Sequence, residues 1–182
     1  MRSNLDPRRY RHVLGVARTA ERLARRFGES TAKARVAGML HDIARLWEPR
    51  ALFDYAREHG ISVSEAEQAA PVLLHSRIGA DIAQRSYGIT DSETLAAIEH
   101  HTVAVPGMSA LEKILYIADS IEPSRTFPAR AALAALAEKS LDEGLLACIA
   151  SSLEHLIARR VPIAPETLAL YNSLAKHNEA AR

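Results

Sequence analysis

Hydrophobic side chains recur every three or four residues along nearly the whole chain, which is the spacing of one face of an α-helix. The first helix is predicted to begin at Asp6-Pro7, with an N-cap side chain followed by proline, and to end at Gly28. Its buried stripe comprises Tyr10, Val13, Val16, Ala20, Leu23 and Phe27. The chain therefore opens with a long amphipathic helix that has a single apolar face.

The same spacing predicts helices over about residues 31–46, 50–59, 72–87, 129–138, 141–160 and 166–177, with two more after Thr90 and Ser109. Four Ser/Thr-x-x-Glu sequences are predicted capping boxes: Ser64 to Glu67, Thr90 to Glu93, Ser109 to Glu112 and Ser140 to Glu143. Residues 178–182 are predicted to fray. The pattern indicates an all-α fold.

The amino-acid composition agrees with an all-α fold, and it argues against a nucleic-acid-binding or membrane protein. The chain has 182 residues, of which 48% are hydrophobic and only 5% aromatic, enough for one compact helical domain over residues 1–182, with its core at about 8–172. The formal charge of +1 gives no strong field for nucleic acid or membrane. A single cysteine, Cys148, suits a reducing cytosol, and neither a signal peptide nor a bilayer-spanning run is evident. We therefore expect a cytoplasmic protein, either monomeric or homodimeric.

The pair His41-Asp42 stands out within the apolar, helix-forming stretch 39–45. Adjacent helical residues point about 100° apart, so both cannot face solvent while Met39, Leu40 and Ile43 turn inward. Polar groups at the edge of a core need hydrogen-bonding or ionic partners. The pair therefore predicts a polar site for which other helices must supply the partners.

Four residues on other predicted helices could supply these partners, each at or beside an apolar face: His12, His75, His101 and Asp119. His101 is favoured over His100 because it projects nearer the face formed by Leu95 and Ile98. Taken singly, each is more simply explained as a core or rim side chain. Together they form a ligand set suited to Fe(II), Mn(II) or Zn(II), provided that they converge.

The order His12, His41-Asp42, Asp119 resembles the signature of the HD-domain metal-dependent phosphohydrolases. Further stretches resemble the YqeK-type branch, the symmetrical dinucleoside tetraphosphate hydrolases of bacteria. The similar stretches are 9–13, 40–45, 74–80, 101–102, 106–108, 111–114 and 117–125, and the resemblance runs from about residue 8 to 172. The run Asp119-Ser-Ile-Glu-Pro-Ser-Arg125 is the most specific of them for the branch.

This resemblance implies an all-α HD fold that holds iron or a similar divalent ion (manganese, cobalt or zinc), as one or two ions. By resemblance, the first ion is bound by His12, His41, Asp42 and Asp119, with Asp42 as the natural bridging carboxylate. His75 and His101 would hold a second ion or contact the substrate phosphate. Two positions depart from the pattern: Arg45 stands where relatives often have lysine, and His100 precedes His101 where another side chain is usual.

The implied reaction is hydrolysis of diadenosine tetraphosphate to two ADP by metal-activated water, with Asp42, His75 and His101 as catalytic residues. Arg9, Arg45 and Arg125 are the candidates for holding the polyphosphate, with Arg77 and Lys113 as lesser ones. The segment from Pro162 to Thr167 would help to enclose the nucleoside. No GxSxG elbow or P-loop is present, and Cys148 lies in an apolar helix where burial would make it inert.

Two alternatives remain open at the level of sequence. One is an HD phosphohydrolase that acts on a mononucleotide, a dNTP or an alarmone, because the motifs define the metal ligands better than the base. The other is a non-catalytic nucleotide sensor on the same fold. The presence of all six metal-ligand candidates counts against the sensor, because a protein that has lost its catalytic activity is no longer constrained to keep them.

Overall fold

The computed structural model describes residues 6–180, and side chains up to Lys176. Residues 1–5, which include the polar start of the chain, lie outside the described part. All regular structure in the described part is helical, so the all-α prediction is confirmed. The helices are α1 (Pro7–Phe27), α2 (Thr31–Leu40), α3 (Pro49–Glu58), α4 (Glu65–Ala69), a 3₁₀ segment (Pro71–Leu73), α5 (Leu74–Tyr87), α6 (Ser92–His100), α7 (Ala110–Ile121), α8 (Arg130–Ala137), α9 (Leu141–Ala158) and α10 (Pro165–Ala180).

Helix α7 lies at the centre of the fold and packs against α1, α2, α6, α8 and α9. Its sequence explains this position, because apolar residues cover most of its circumference and Ile114, Leu115, Ile117 and Ile121 are almost fully buried. A second, smaller cluster of buried apolar side chains joins α3 to α5. Because α7 packs against α1 and α2, side chains of the three helices meet inside the main core.

Close packing of α1 on α2 depends on Gly38. A Cβ atom at this position would lie 2.6 Å from the Cα atom of Ala17, a distance that real side chains do not reach. Only glycine allows the two backbones to approach this closely. The contact matters for the site because Gly38 lies three residues before His41.

Helix α2 ends at Leu40, so the predicted helix over residues 31–46 is too long. Residues 41–46 form successive tight turns in which the amides of Ile43, Arg45 and Trp47 bond to the carbonyl three residues earlier. Apolar periodicity continues through these turns, and for that reason the sequence pattern does not reveal the end of the helix. The His41-Asp42 pair consequently stands at the helix terminus, not within the helix.

Three of the four predicted N-caps are correct, and the fourth lies one residue later than predicted. Complete capping boxes occur at Ser64 and Ser109. Ser140 caps α9 through its hydroxyl, but its own amide bonds to the Leu136 carbonyl and not to Glu143. At α6 the N-cap is Asp91 and not Thr90, since the Asp91 carboxylate accepts hydrogen bonds from the amide and hydroxyl of Thr94.

The last helix is longer than predicted, because α10 continues to Ala180. Residues 178–180, which were expected to fray, are therefore part of this helix. Residues 181–182 lie outside the described part. Across residues 6–180, no helix has the length and apolar character needed to cross a bilayer.

Candidate metal centre and its cavity

Three parts of the chain bring His12, His41, Asp42 and Asp119 together. The His12 Nε2 atom of α1 lies 3.0 Å from Asp119 Oδ1 on α7 and 3.5 Å from Asp42 Oδ2. His41 Nε2 lies 3.4 Å from Asp42 Oδ2 and 3.9 Å from Asp119 Oδ1. The four residues proposed as the first ligand set thus surround one small volume.

His75 and His101 lie on the other side of Asp42. Their Nε2 atoms are 3.0 Å apart, and they lie 3.3 and 3.8 Å respectively from Asp42 Oδ1. The two oxygens of Asp42 therefore face different histidine pairs. This arrangement creates two potential ligand groups, His12-His41-Asp42 and Asp42-His75-His101, that share one carboxylate.

Two ring nitrogens in the first group lack the partners that buried polar atoms need. His41 is completely buried and His12 nearly so, yet neither Nε2 atom has a hydrogen-bond partner among the described residues. An unsatisfied buried polar atom costs about 1–3 kcal/mol. Both nitrogens lie beside carboxylate oxygens, and this donor set fits a divalent cation.

The other ring nitrogen of three histidines is held by a backbone carbonyl three residues earlier. His41 Nδ1 donates to the Gly38 carbonyl at 2.8 Å, and His101 Nδ1 donates to the Ile98 carbonyl at 2.7 Å. His75 Nδ1 bonds in the same way to Val72. These bonds place the proton on Nδ1 and leave Nε2 free to bind a metal ion.

The electrostatics keep the carboxylates charged. Burial by itself raises the pKa of Asp42 and of Asp119, but the surrounding histidines, and Arg125 for Asp119, hold both pKa values far below their usual range. Burial lowers the pKa of His101 to about 4, so this ligand candidate is neutral at pH 7. Ionised carboxylates and neutral imidazoles are the forms that bind metal.

The pKa of His12 is raised, in contrast to that of His101. Burial lowers the pKa of His12, but the nearby carboxylates of Asp119 and Asp42 outweigh that effect and raise the pKa to about 9. Without a cation between these groups, the proton on His12 balances the two carboxylates. A divalent ion that binds here must therefore replace this proton.

Two of the three predicted phosphate-binding arginines are bound to the carboxylates. The Arg9 guanidinium contacts Asp42 Oδ2, and that of Arg125 contacts Asp119 Oδ1 at 2.6 Å and the Asp119 backbone carbonyl at 2.9 Å. Arg45 lines the same cavity, and no carboxylate within residues 6–176 forms an ion pair with it. The lesser candidates Arg77 and Lys113 pair with Glu67 and Asp142 and lie outside the cavity lining.

A cavity of about 500 Å³ opens next to the histidines and aspartates. This volume lies within the usual range for small-molecule sites, about 300–1,000 Å³. The remaining lining is formed by side chains that the sequence prediction did not assign to the site: Tyr116, Ser120, Phe127, Leu133, Ser151, Ser152 and His155. Of these, Ser151, Ser152 and His155 share one side of α9 at helical spacing, the only sequence signal that could have found them.

The cavity is lined by some of the other residues singled out in the sequence and not by others. Pro162 and Thr167 do not line it, and the Thr167 hydroxyl instead donates to the Ala104 carbonyl at 3.3 Å. Cys148 does line it, but burial raises the pKa of its thiol to about 12, which agrees with an unreactive thiol. The inward orientation of His101 is confirmed, since it is 4% exposed whereas the side chain of His100 is 30% exposed and pairs with Glu112.

Comparison with known proteins agrees with this geometry. The sequence matches the HD domain family over residues 9–124. It is 36% identical to the symmetrical bis(5'-nucleosyl)-tetraphosphatase of Bacillus subtilis over 96% of this chain and 93% of the relative. The enzyme of the same name from Halalkalibacterium halodurans is 34% identical over 96% and 92% of the two chains.

A solved structure shows the same fold. The crystal structure of an HD superfamily hydrolase from Clostridium acetobutylicum, described as involved in NAD metabolism, superposes with a TM-score of 0.91 at 36% identity. The superposition covers 96% of this chain and 92% of the other. On these matches, together with the paired histidine-aspartate groups, the chain belongs to the HD-domain family, in the branch that contains the symmetrical bis(5'-nucleosyl)-tetraphosphatases.

Proposed function

We propose that this protein hydrolyses diadenosine tetraphosphate symmetrically to two molecules of ADP. The observation that carries the proposal is the position of Asp42, whose two oxygens each face a separate pair of histidine Nε2 atoms at the end of a nucleotide-sized cavity. Relatives that align over nearly their whole length carry the name of this activity. The chemistry of the ligand set and the arginines beside it supports the same reaction.

Two groups of side chains would hold divalent ions. His12, His41, Asp42 and Asp119 would hold a first ion, and Asp42, His75 and His101 would hold a second ion or contact the substrate phosphate. Ions of this kind make water nucleophilic near neutral pH and offset the negative charge of phosphate oxygens. The mixture of imidazole and carboxylate ligands suits Fe(II) or Mn(II), with Co(II) and Zn(II) as further options.

The chain itself supplies cations for the polyphosphate. Arg45 has no acidic partner among the described side chains, so its guanidinium can bind two phosphate oxygens. Arg9 and Arg125 contact the carboxylates of the ligand set, and once cations balance that charge they too can turn towards phosphate. Three guanidinium groups beside the ligands favour a substrate with several phosphates over a mononucleotide.

One nucleoside of the substrate lies against the part of the cavity wall formed by Phe127, Leu133 and the α9 side chains. Phe127 and Leu133 offer apolar surface for a base, and Ser151, Ser152 and His155 offer hydrogen-bonding groups for a sugar or base edge. This wall takes the role that the sequence had suggested for the segment from Pro162 to Thr167. The other nucleoside extends from the open end of the site.

In the reaction, water attacks the phosphorus of one of the two central phosphates, and the bond from that phosphorus to the central bridging oxygen breaks. The leaving ADP keeps the bridging oxygen, and the attacked half becomes the second ADP. Arg9, Arg45 and Arg125 hold the phosphates on either side of this bond. No protein nucleophile takes part, which agrees with the high pKa of Cys148.

A product assay tests the proposal directly. The full-length protein, stripped with chelator and reloaded with Fe(II) or Mn(II), should convert diadenosine tetraphosphate to ADP alone, and the stripped protein should be inactive. AMP together with ATP would mean that a different bond is cut. Faster turnover of a mononucleotide or dNTP than of the dinucleotide would replace the proposed substrate with another one of the same family.

Arg45 offers a test of phosphate recognition. Arg45→Ala should lower kcat/KM about 10- to 100-fold, because a charged hydrogen bond contributes about 1.5–3 kcal/mol. Metal content should not change, since the Arg45 side chain forms no ion pair with any proposed ligand among the described residues, and its backbone bond to Asp42 is kept in the variant. Arg45→Lys should retain most of the activity. The matched control is Arg50→Ala, which removes an arginine whose side chain is 94% exposed and should leave kcat/KM unchanged.

A further inference from the structure

His12 differs from the other three histidines in how its second nitrogen is held. Carbonyls near the end of a helix have no partner within the helix, and Gly38 and Ile98 lie in the last turns of α2 and α6. Their carbonyls are therefore free to accept from His41 and His101. His12 lies in the first half of the long helix α1, where amides of the helix occupy the preceding carbonyls. Its Nδ1 atom must therefore find an acceptor elsewhere.

That acceptor is the carboxylate of Glu122, at the C-terminal end of α7. Glu122 Oε1 lies 3.1 Å from His12 Nδ1. The side chain of Glu122 is only 1% exposed, and a carboxylate buried to this extent needs hydrogen-bond donors around it.

The surroundings of Glu122 hold this carboxylate in one position. The Ser124 amide donates to Oε2 at 2.8 Å, and the Ser124 hydroxyl donates to Oε1. On the facing helix, a Cβ atom at Gly15 would lie 2.3 Å from Oε2. A side chain at position 15 would therefore displace the carboxylate from this position.

We propose that Glu122 is a positioning residue that orients His12 towards the metal and, through that bond, sets the affinity of the first ligand group. A carboxylate on Nδ1 fixes the proton there, directs Nε2 into the site and makes the imidazole a stronger ligand. The inference rests on the proposed metal centre. It also explains the run from residue 119 to 125, in which Asp119 is a ligand, Arg125 holds Asp119, and Glu122 holds His12.

The test is a metal titration of the stripped full-length protein, using Co(II) as the probe in calorimetry and visible absorption. Loss of such an outer carboxylate typically weakens metal binding about 10- to 100-fold. Glu122→Gln keeps the shape but removes the charge, and should weaken Co(II) binding at the first ligand group about tenfold. Glu122→Ala should weaken it further, and both should alter the Co(II) absorption bands.

Glu112→Gln is the matched control, because Glu112 is also a buried carboxylate on α7 that accepts from a serine amide and from a histidine Nδ1. Its histidine, His100, is not among the proposed ligands. Glu112→Gln should lower the melting temperature while Co(II) affinity and spectrum stay as in the unchanged protein. Gly15→Ala, which displaces the Glu122 carboxylate without removing it, should weaken Co(II) binding as Glu122→Gln does.

The outcomes separate the two levels of the proposal. If the unchanged protein binds Co(II) and both Glu122 variants bind it with equal affinity and an identical spectrum, the role of Glu122 is overturned. If Glu122→Gln and Glu112→Gln weaken Co(II) binding equally, the effect is one of general stability, and the role is also overturned. If the unchanged protein binds no Co(II), the metal centre itself is wrong.

Discussion

Asp42→Asn is expected to lower kcat for diadenosine tetraphosphate by about 10³-fold or more and to reduce the bound metal to less than half. Loss of one charge-stabilising group in a buried site typically costs 10²–10³ in kcat. Asp42 should exceed that range because its two oxygens serve both ligand groups. Asparagine preserves the size of the side chain but removes the negative charge that both groups require. Steady-state kinetics and elemental analysis of the same preparation measure the two effects.

The buried position of Asp42 adds a further cost to this substitution. Its neighbour Arg9 would lose an ionic partner, so the variant should also show a different affinity for phosphate. Asp54→Asn is a suitable control because this aspartate is 47% exposed and, within the described part of the chain, pairs with two surface arginines. If Asp42→Asn retains more than a tenth of the activity with full metal content, the bridging role is wrong.

His101→Ala is expected to lower kcat about 10²-fold or more, whereas His100→Ala should change it less than threefold. His101 Nε2 faces Asp42 Oδ1 and His75 Nε2, so its removal leaves the second ligand group with two members. His100 projects away from this group and pairs with Glu112. The two residues are adjacent in sequence, which makes each variant the control for the other.

Stability measurements complete this comparison. His100→Ala removes a partly exposed ion pair of a kind that contributes about 0–1 kcal/mol, so its melting temperature should fall by a few degrees at most. His101→Ala should lose metal at one site, as measured by elemental analysis. If His100→Ala proves the more damaging to activity, the assignment of the second ligand group is wrong.

The helices and most of the ligand candidates could be predicted from the sequence because their signals are local. Apolar spacing identified the helices, since a helix presents every third or fourth residue to the core. Polar residues on apolar faces identified His12, His75, His101 and Asp119, because a buried polar group needs a reason to be there. The choice of His101 over His100 used the same periodicity, and His101 is the buried residue of the two.

The sequence did not reveal places where the backbone hydrogen bonding changes while the spacing of apolar and polar residues stays the same. The helical spacing of apolar residues continues through the tight turns at residues 41–46, so the end of α2 at Leu40 was not visible in the sequence. The N-cap of α6 was displaced by one residue for a related reason. Thr90 and Asp91 are both good caps, and only the backbone course decides which one accepts the hydrogen bonds.

Tertiary structure alone decided the arrangement of the site. Convergence of α1, the turn after α2, α5, α6 and α7 on Asp42 depends on helix packing, including the contact of Gly38 with Ala17. The α9 side chains that line the cavity lie more than 100 positions after Asp42, and Glu122 lies 110 positions after His12, to which it bonds. The sequence by itself determined which residues could bind a metal, because that is a property of side-chain chemistry. Which oxygen faces which histidine, and what holds each ring in place, depends on distances between helices that no local pattern encodes.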